Sequence, residues 1–316
     1  MLVYVQNNYT YPNLLRQTPG FGGKWKDIQF TFDDREQADL IIVINHPTKD
    51  IDMTCKKGGK ILLIQEPPYE RNRYLKLHFR FYDLIVSGFP KSPGFNMLNK
   101  QAALPWHVDM SYDELSALSI KNSKDKQDHA SFITSNSNIY PEHKTRLDFI
   151  DYMKQQSFAF DLFGRGFNPI GNKLEGLLPY KYAIAAENYI ANDYFTEKII
   201  DAFLAFSMPI YYGCPNIHTY FPPEAVLVVD LNKPQESLEK IKEAIANKRW
   251  DKNKEAIIHA RELILNKYQF FPAMYELIQT DLSIQNKAYK KVHIPHSGLT
   301  DFEKLKKKLR NTFLKK

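Results

Sequence analysis

The sequence predicts an α/β fold made of two doubly wound domains, and three observations support this. Short apolar runs alternate with polar or helical stretches along most of the chain, as in sheets of buried parallel strands. The 316 residues, 43% of them apolar, exceed what one hydrophobic core usually organises. A polar, charge-mixed stretch at residues 113–128 interrupts the alternation and is typical of an interdomain connection.

The predicted elements form two series. The first domain contains the predicted strands Leu2–Val5, Ile28–Phe32, Leu40–Ile44, Ile61–Gln65 and Leu84–Ser87. The second contains the predicted strands Ser131–Thr134, Phe158–Phe163, Tyr182–Ala186, Pro209–Tyr212 and Ala225–Val229. Helices are predicted near 142–155, 196–206, 236–247 and 252–266 from their apolar spacing. Open α/β sheets bind ligands beyond the carboxyl ends of their strands, so we expect a ligand cleft between the domains.

The predicted boundaries divide the chain into residues 1–128, residues 129–285 and a basic tail, 286–316. The tail holds ten Lys or Arg residues against Asp301 and Glu303, which accounts for the net charge of +7 and leaves the rest of the chain close to neutral. A distributed phosphate-binding groove is therefore not indicated, and we expect no nucleic-acid partner.

The cysteines and the hydropathy of the chain argue against a disulfide-rich, a zinc-binding and a membrane-spanning protein. Cys55 and Cys214 are the two cysteines, and they lack the paired spacing of a disulfide framework or a zinc site. The N-terminus has no basic region followed by a long apolar run, and no stretch approaches the roughly 20 apolar residues that cross a bilayer. We therefore expect a cytoplasmic protein that does not span a membrane.

The segment Tyr180–Gly213 carries the strongest chemical pattern. It reads as a strand, a polar loop, a helix and a second strand, with Glu187-Asn188 at the carboxyl end of the first strand. The predicted helix start offers unpaired backbone N–H groups, and Lys198 in the first turn adds a positive charge, so a diphosphate can dock there. Glu197 can accept hydrogen bonds from sugar hydroxyls. The alternative is that Glu197 only complements the helix dipole and that Lys198 is solvated.

This segment resembles the sequence signature of the α-1,3/α-1,4-fucosyltransferases, glycosyltransferase family 10, in its bacterial type. The matching residues are Tyr180-Lys-Tyr, Glu187-Asn188, Tyr194-x-Thr-Glu197-Lys198 and Pro209-x-x-x-Gly213. Tyr189 departs from the family, which usually has Ser after Glu-Asn. The resemblance implies a GT-B-like fold of two Rossmann-like domains, with acceptor binding in the N-terminal domain and GDP-sugar binding in the C-terminal one.

The resemblance also implies roles for single residues. Donor-binding residues would be Arg146, Glu187, Asn188, Tyr194, Glu197 and Lys198. Arg146 follows the polar turn after the strand at Ser131, and an Arg fork can hold two phosphate oxygens; the alternative is an exposed helix Arg. Gly164 and Gly166, before the signature, would allow a close backbone approach.

The resemblance places a catalytic carboxylate after an N-terminal strand, where this chain has Ile61-Leu-Leu-Ile-Gln-Glu66-Pro-Pro. Glu66, held by two prolines and partly desolvated, would be the general base. Glu70 competes for this role, and the alternative is that Glu66 merely ends a strand. His46 and His107 are further candidates for the acceptor side, without a catalytic assignment.

The implied reaction is an inverting transfer of L-fucose from GDP-β-L-fucose to a glycan or a lipid-linked oligosaccharide. Residues 129–285 contain no Asp-x-Asp sequence of the kind that holds a divalent cation on a donor diphosphate. We therefore expect no cofactor and no metal requirement.

The basic tail has a helical spacing of apolar residues. Phe302, Leu305, Leu309 and Phe313 would form one face of a basic amphipathic helix over 301–316. Such a helix can lie on an anionic membrane surface; a solvated or packed terminal helix is the alternative.

Three other functions stay open at the level of sequence. One is a transferase that uses another nucleotide sugar, and another is a non-catalytic protein that binds nucleotides or glycans with the same fold. The third is nucleic-acid binding through the tail, which predicts a steep salt dependence.

Overall fold

The computed structural model describes residues 1–120, 126–139, 141–280 and 287–298. The chain divides into two compact units. The N-terminal unit comprises residues 1–13, 22–102 and the C-terminal residues from Met274, and the C-terminal unit comprises residues 14–21 and 103–273. Each unit is an α/β structure with its own hydrophobic core, so the predicted α/β class with two Rossmann-like units is confirmed.

The N-terminal unit contains a seven-stranded sheet. Its strands are β1 (Leu2–Gln6), β2 (Lys24–Trp25), β3 (Ile28–Thr31), β4 (Leu40–Ile44), β6 (Lys60–Leu63), β7 (Leu84–Val86) and β8 (Met97–Leu98). They lie in the order β2-β3-β1-β4-β6-β7-β8, and all neighbours are parallel except β2 and β3. The central strand β4 is buried along its whole length, as its run of Leu, Ile and Val predicts.

A second sheet of the N-terminal unit joins distant parts of the chain. Strand β5 (Ile51–Lys56) pairs with β14 (Tyr289–Ile294) in antiparallel register. Ile51, Met53 and Cys55 point inward on β5 while Asp52 is exposed, which is the two-residue period of a half-buried strand. Neither strand was predicted: β14 lies in the basic region assigned to the tail, and β5 carries Asp52 and Lys56 beside its inward-facing residues. Residues 299–316, including the predicted amphipathic helix, lie outside the described residues.

The C-terminal unit is built on a five-stranded sheet with parallel neighbours throughout. Its strands are β9 (Gln127–Ile133), β10 (Asp161–Phe163), β11 (Tyr180–Ala186), β12 (Met208–Tyr212) and β13 (Leu227–Val228), in the order β10-β9-β11-β12-β13. Pro209 is tolerated inside β12 because the pairing with β13 begins only at Ile210, so its missing N–H costs no ladder bond on that side.

The helices predicted near 142–155, 196–206, 236–247 and 252–266 are confirmed, and the structure describes three further α-helices that were not predicted. The α-helices are α1 (Tyr112–Ala117), α2 (Pro141–Gln155), α3 (Glu197–Leu204), α4 (Pro234–Ala246), α5 (Arg249–Lys252), α6 (Lys254–Leu263) and α7 (Phe270–Thr280). A 3₁₀-helical segment of 12 residues spans Glu70–Phe81. Shorter 3₁₀ turns span Leu14–Gln17, Pro19–Phe21, Lys173–Gly176, Ile217–Thr219 and Pro223–Ala225, and a π-helical turn spans Ile264–Tyr268. No helix among the described residues is long and apolar enough to cross a membrane.

The division between the units differs from the predicted boundary at residue 129. Trp106, Val108 and Leu115 belong to the core of the C-terminal unit, although they precede that boundary. The early segment 14–21 joins them, because Arg16 donates to Asp109 Oδ1 at 3.1 Å and to the Trp106 carbonyl at 3.0 Å. The described residues of the polar stretch that suggested a linker, 113–120 and 126–128, therefore belong to the C-terminal unit.

The turn after β10 depends on glycine. Gly164 has φ +113°, and a Cβ atom there would lie 1.9 Å from the Thr134 carbonyl oxygen. Gly166 has φ +84°, and its Cβ atom would lie 2.0 Å from the Asn136 side chain. The segments that follow β9 and β10 pack directly against each other here, through hydrogen bonds such as Asn136 N–H to the Arg165 carbonyl at 3.0 Å. The close backbone approach expected at these two glycines is confirmed.

We predict that Gly164→Ala destabilises the protein by about 2–4 kcal/mol, since an alanine at this φ is strained and overlaps the Thr134 backbone. Gly171→Ala is the matched control, because a Cβ atom there meets only Glu175 Oε1, at 3.7 Å, and we expect a change within about 0.5 kcal/mol. Chemical denaturation of both variants measures the effect. Equal unfolding midpoints for the two would contradict the packing described here.

Candidate active site

The carboxyl end of β11 and the start of α3 are held together by a buried carboxylate. Glu187 follows β11, and its side chain has no exposed surface. The backbone N–H and the hydroxyl of Thr196 donate to its two carboxylate oxygens, at 2.8 Å and 2.7 Å. Thr196 is the N-cap of α3, and its own hydroxyl accepts the Lys198 N–H. Glu187 thus fixes the point at which the helix begins.

Lys198 lies at the centre of this arrangement. Its Nζ is 3.3 Å from Glu187 Oε2, 3.2 Å from Glu197 Oε1 and 3.0 Å from the Thr196 hydroxyl. Burial alone would lower the pKa of Lys198, but the charges of Glu187 and Glu197 raise it above its usual range. The ammonium therefore stays protonated at neutral pH, and the expectation of a merely solvated Lys198 is replaced by a paired, mostly buried cation.

Glu197 is the second carboxylate of the group and is partly accessible, with 18% of its side chain exposed. Burial would raise the pKa of Glu197, but Lys198 and Lys173 lower it below its usual range. The carboxylate is therefore ionised and available to accept hydrogen bonds. In this respect it differs from Glu187, whose burial raises its pKa above the usual range against the opposing charge of Lys198.

Arg146 is brought to the same site. It is buried on α2, so the alternative of an exposed helix Arg is wrong. Its charge opposes the protonation of Lys198, which means that the two cations lie close enough to repel each other. Two neighbouring cations beside a helix N-terminus favour a ligand with more than one negative charge.

The loop between β11 and α3 is held by hydrogen bonds from residues that follow β12. Asp193 adopts φ +62°, and Asn216 and Tyr220 both donate to its carboxylate at 2.7 Å. Tyr194 is buried and meets Tyr189 edge to face at 5.8 Å between ring centroids. Tyr189, the departure from the family signature, therefore packs against a signature residue. Asn188 is half-buried at the start of this loop.

Gly213 permits the tight junction at the neighbouring strand end. A Cβ atom there would lie 2.5 Å from the Glu187 side chain and 2.5 Å from the Tyr211 hydroxyl. The glycine of the Pro-x-x-x-Gly pattern is thus required by the approach of the buried carboxylate, and the backbone N–H of Glu187 closes the junction on the Tyr212 carbonyl at 2.8 Å.

Sequence reasoning missed a further ion pair in the C-terminal unit. Lys173 Nζ is 2.8 Å from Asp201 Oδ2 and 3.9 Å from Glu197 Oε1. Asp201 is buried and also accepts the backbone N–H of His107 at 2.8 Å. The signal was present in the sequence, since Asp201 is the one charged residue in the otherwise apolar run Ile199–Leu204 of α3. Burial lowers the pKa of His107, which favours a neutral imidazole beside this group.

Glu66, the predicted general base, belongs to the N-terminal unit and follows β6. Its side chain is exposed, so the expected partial desolvation is wrong. Its backbone N–H donates to Asn45 Oδ1 at 3.3 Å. Glu70, the competing candidate, is also exposed and pairs with Arg73 at 2.8 Å. His46 contacts the Asn8 amide at 3.2 Å and stacks on His78, with 6.1 Å between ring centroids.

Metal-ligating groups are not assembled in the described parts of the chain, where no cluster of three or more His, Cys, Asp or Glu side chains occurs. The chain's Asp-x-Asp sequence, Asp50-Ile51-Asp52, lies at and before the start of β5 in the N-terminal unit. Its carboxylates are paired with His296 at 2.7 Å and with His293 at 2.8 Å. These two carboxylates therefore bind β14 and the residues after it to the start of β5.

The fold and the geometry of this site define the class of this protein. It is an α/β protein whose C-terminal unit has a helix N-terminus, with Lys198 in its first turn, at the carboxyl edge of a parallel sheet, the usual place for a phosphorylated ligand. Residues 123–254 match the family model described as glycosyltransferase family 10 (fucosyltransferase), C-terminal part. This match includes the whole signature segment and confirms the resemblance seen there.

Curated relatives share this part of the chain. The α-(1,3)-fucosyltransferase FucT of Helicobacter pylori is 34% identical over 119 residues, which are 37% of this chain and 24% of the relative. The GDP-fucose protein O-fucosyltransferase 3 of Danio rerio is 40% identical over 78 residues, 24% of this chain and 16% of the relative. The matched segments thus span less than a third of these relatives' own lengths.

Solved structures resemble the chain over a greater length. An α-glucosyltransferase in complex with UDP-glucose and DNA containing an abasic site aligns with a TM-score of 0.51 and 9% identity, covering 88% of this chain and 99% of the other. An α1,3-fucosyltransferase with GDP-fucose aligns with a TM-score of 0.48 and 17% identity, covering 85% of this chain and 92% of the other. The first likeness supports the fold.

We predict that Lys198→Met destabilises the protein by about 3 kcal/mol, because it leaves the Glu187 carboxylate buried without a counter-charge. Adding Glu187→Gln should recover most of that loss, since a neutral amide can still accept from Thr196. Thermal unfolding of the single and double variants tests the pairing. A double variant no more stable than Lys198→Met would contradict a direct charge coupling between the two side chains.

Proposed function

We propose that this chain is a glycosyltransferase that moves L-fucose from GDP-β-L-fucose to a hydroxyl of an acceptor, with inversion at the anomeric carbon. The observation that carries the proposal is the cluster of Arg146, Lys198 and the α3 N-terminus, which lies within the segment that matches family 10. The family description and the names of the relatives support fucose as the sugar.

The chemistry of the leaving group fits this cluster. A nucleoside diphosphate is stable as an anion, so its departure needs positive charge more than a general acid. Arg146 and Lys198 supply that charge at a site already organised by Glu187, which avoids reorganisation when negative charge develops. Glu197, ionised and partly accessible, is suited to accept hydrogen bonds from ribose or sugar hydroxyls, with Asn188 and Tyr194 shaping the loop beside it.

The acceptor half of the reaction needs a base. In our proposal Glu66 takes the proton of the acceptor hydroxyl as that oxygen attacks the anomeric carbon, and the bond from fucose to GDP breaks. An exposed carboxylate is accessible to an incoming sugar. We propose O3 or O4 of a GlcNAc or glucose unit as the acceptor hydroxyl, and a reaction that proceeds without a metal.

A donor panel tests the proposal directly. We expect transfer or hydrolysis with GDP-fucose, little turnover with GDP-mannose or UDP-glucose, and no loss of rate in EDTA. Arg146→Met should weaken GDP binding by about 10- to 100-fold, corresponding to roughly 1.5–3 kcal/mol for a charge-assisted contact. Lys242→Met, an exposed cation of α4, is the matched control and should bind GDP as the parent chain does.

The outcomes of the panel separate the rival functions. Turnover with a different nucleotide sugar would replace fucose but keep the reaction class. GDP binding without turnover on a panel of glycan and protein acceptors would indicate a binding protein instead. Product linkage analysis on the same panel identifies the acceptor hydroxyl.

We predict that Glu66→Gln lowers turnover by about 10²- to 10⁴-fold, the usual contribution of a general base, while GDP affinity stays unchanged. Glu70→Gln provides the matched comparison four residues away and should keep nearly full turnover. The measurement is kcat with GDP-fucose under saturating acceptor. Full activity of Glu66→Gln, or a collapse in Glu70→Gln instead, would remove Glu66 from the mechanism.

We also propose that residues 301–316 attach the protein peripherally to the cytoplasmic face of an anionic membrane, where lipid-linked acceptors occur. The full chain should sediment with vesicles that contain phosphatidylglycerol and not with neutral phosphatidylcholine vesicles. Replacing Phe302, Leu305, Leu309 and Phe313 with Ser should abolish the difference, because these substitutions remove the apolar side chains of the helix that the sequence predicts. Equal sedimentation of both chains would contradict membrane attachment.

A further inference from the structure

Asn45 has an unusual backbone conformation at the carboxyl end of β4. Its φ is +61°, in the left-handed region that few residues other than glycine occupy, and Asn is among those that tolerate it. The residue is also buried, with 3% of its surface exposed. Such a conformation persists only when the surroundings over-determine it, and it is often associated with a functional site.

The side chain of Asn45 uses both ends of its amide. Its Oδ1 accepts the backbone N–H groups of Gln65 at 2.8 Å and of Glu66 at 3.3 Å. Its Nδ2 donates to Asn8 Oδ1 at 3.0 Å. One buried side chain therefore ties together the segments that follow β1, β4 and β6, at the edge where these parallel strands end.

The neighbours of Asn45 complete this connection. Asn8 Nδ2 lies 3.2 Å from His46 Nε2. The Gln65 side chain accepts the Tyr9 hydroxyl at 3.2 Å and donates to the Ala102 carbonyl at 3.1 Å. Gln65 is thus held by its backbone and by its side chain, whereas the Glu66 carboxylate itself is exposed. The backbone of Glu66 is fixed although its side chain is not packed.

We propose that Asn45 is a positioning residue for Glu66, setting the direction in which the Glu66 side chain leaves the sheet edge. The inference rests on the proposed function, in which Glu66 takes the acceptor proton. An exposed carboxylate gains no orientation from packing, so its backbone has to supply it. A small misplacement of a catalytic group costs up to about 100-fold in rate, which gives the Asn45 amide a function beyond stability.

The test uses two substitutions that both suit a positive φ. Asn45→Asp keeps an acceptor oxygen for the Gln65 and Glu66 N–H groups, and Asn45→Gly removes it without straining the backbone. In the full chain we expect Asn45→Gly to lower kcat about 10- to 100-fold with the KM for GDP-fucose unchanged. Asn45→Asp should stay within about 3-fold of the parent chain, because acceptance of both N–H groups is conserved.

Coupling to Glu66 separates positioning from a structural role. If Asn45 acts through Glu66, Asn45→Gly should have no further effect on kcat once Glu66→Gln is present, as expected for residues that act as a unit. Asn8→Ala, at a half-buried position, is a second variant, which removes the acceptor of the Asn45 Nδ2 hydrogen bond. It should show a smaller loss of kcat, again with no further effect once Glu66→Gln is present. The second variant keeps the test decisive if Asn45→Gly fails to fold.

The outcomes distinguish this inference from the proposed function. A parent chain without fucosyl transfer, or a fully active Glu66→Gln, overturns the function and the inference together. A parent chain that needs Glu66 but whose Asn45→Gly or Asn8→Ala variant keeps full kcat overturns the inference alone. Losses in kcat that multiply with the loss from Glu66→Gln also overturn it, because they would reflect a general structural effect.

Discussion

The buried Glu187 carboxylate holds together the end of β11 and the start of α3, and the rest of the candidate site depends on it. It accepts two hydrogen bonds from Thr196 and lies 3.3 Å from Lys198 Nζ, so a single side chain sets both the start of α3 and the location of its cation. The desolvation of this carboxylate is offset only while all three contacts exist. Gly213 has no side chain for the same reason, since a Cβ atom there would occupy the space of Glu187.

This arrangement gives the signature residues separate physical tasks. Glu187 and Gly213 build the junction, whereas Lys198 and Glu197 are partly exposed. Outside the signature positions, Asp193 with Asn216 and Tyr220 shapes the loop. The signature residues therefore fall into two groups: buried residues that stabilise the local structure, and partly exposed residues that a ligand can reach. The division rests on burial, because a fully enclosed carboxylate cannot meet a ligand that approaches from solvent.

Much of the fold was predictable because its strands are buried on both faces. The run Leu40–Ile44 was predicted at its observed bounds, and the strand and helix of the signature were found to within two residues. The boundary between the units was not predictable from polarity, since residues 113–128 are polar yet follow Trp106 and Val108, which pack in the C-terminal core. Strand β14 was missed because Lys290, Lys291 and His293 make most of it polar, so no alternation of apolar and polar residues is visible. Its partner β5 is also about 240 residues away in sequence.

The candidate site was predictable in composition and less so in arrangement. The signature identified Lys198 and Glu197, and the turn after β9 pointed to Arg146. The burial of Glu187 depends on how Thr196, Lys198 and Gly213 pack around it, which the residue pattern alone does not give. The pair of Lys173 and Asp201 was missed because Lys173 lies on a separate short helical turn, although the charged Asp201 within α3 was itself a signal.

The pairing of β5 with β14 has a consequence for the order in which the chain can fold during synthesis. The core of the C-terminal unit is made from residues 14–21 and 103–273, all of which leave the ribosome before Tyr289. The unit that begins at Met1 waits for residues 289–294 before β5 gains its partner. Domains usually fold in the order in which they are translated. Here the C-terminal unit has all its residues first, and the N-terminal unit gains strand β14 only afterwards.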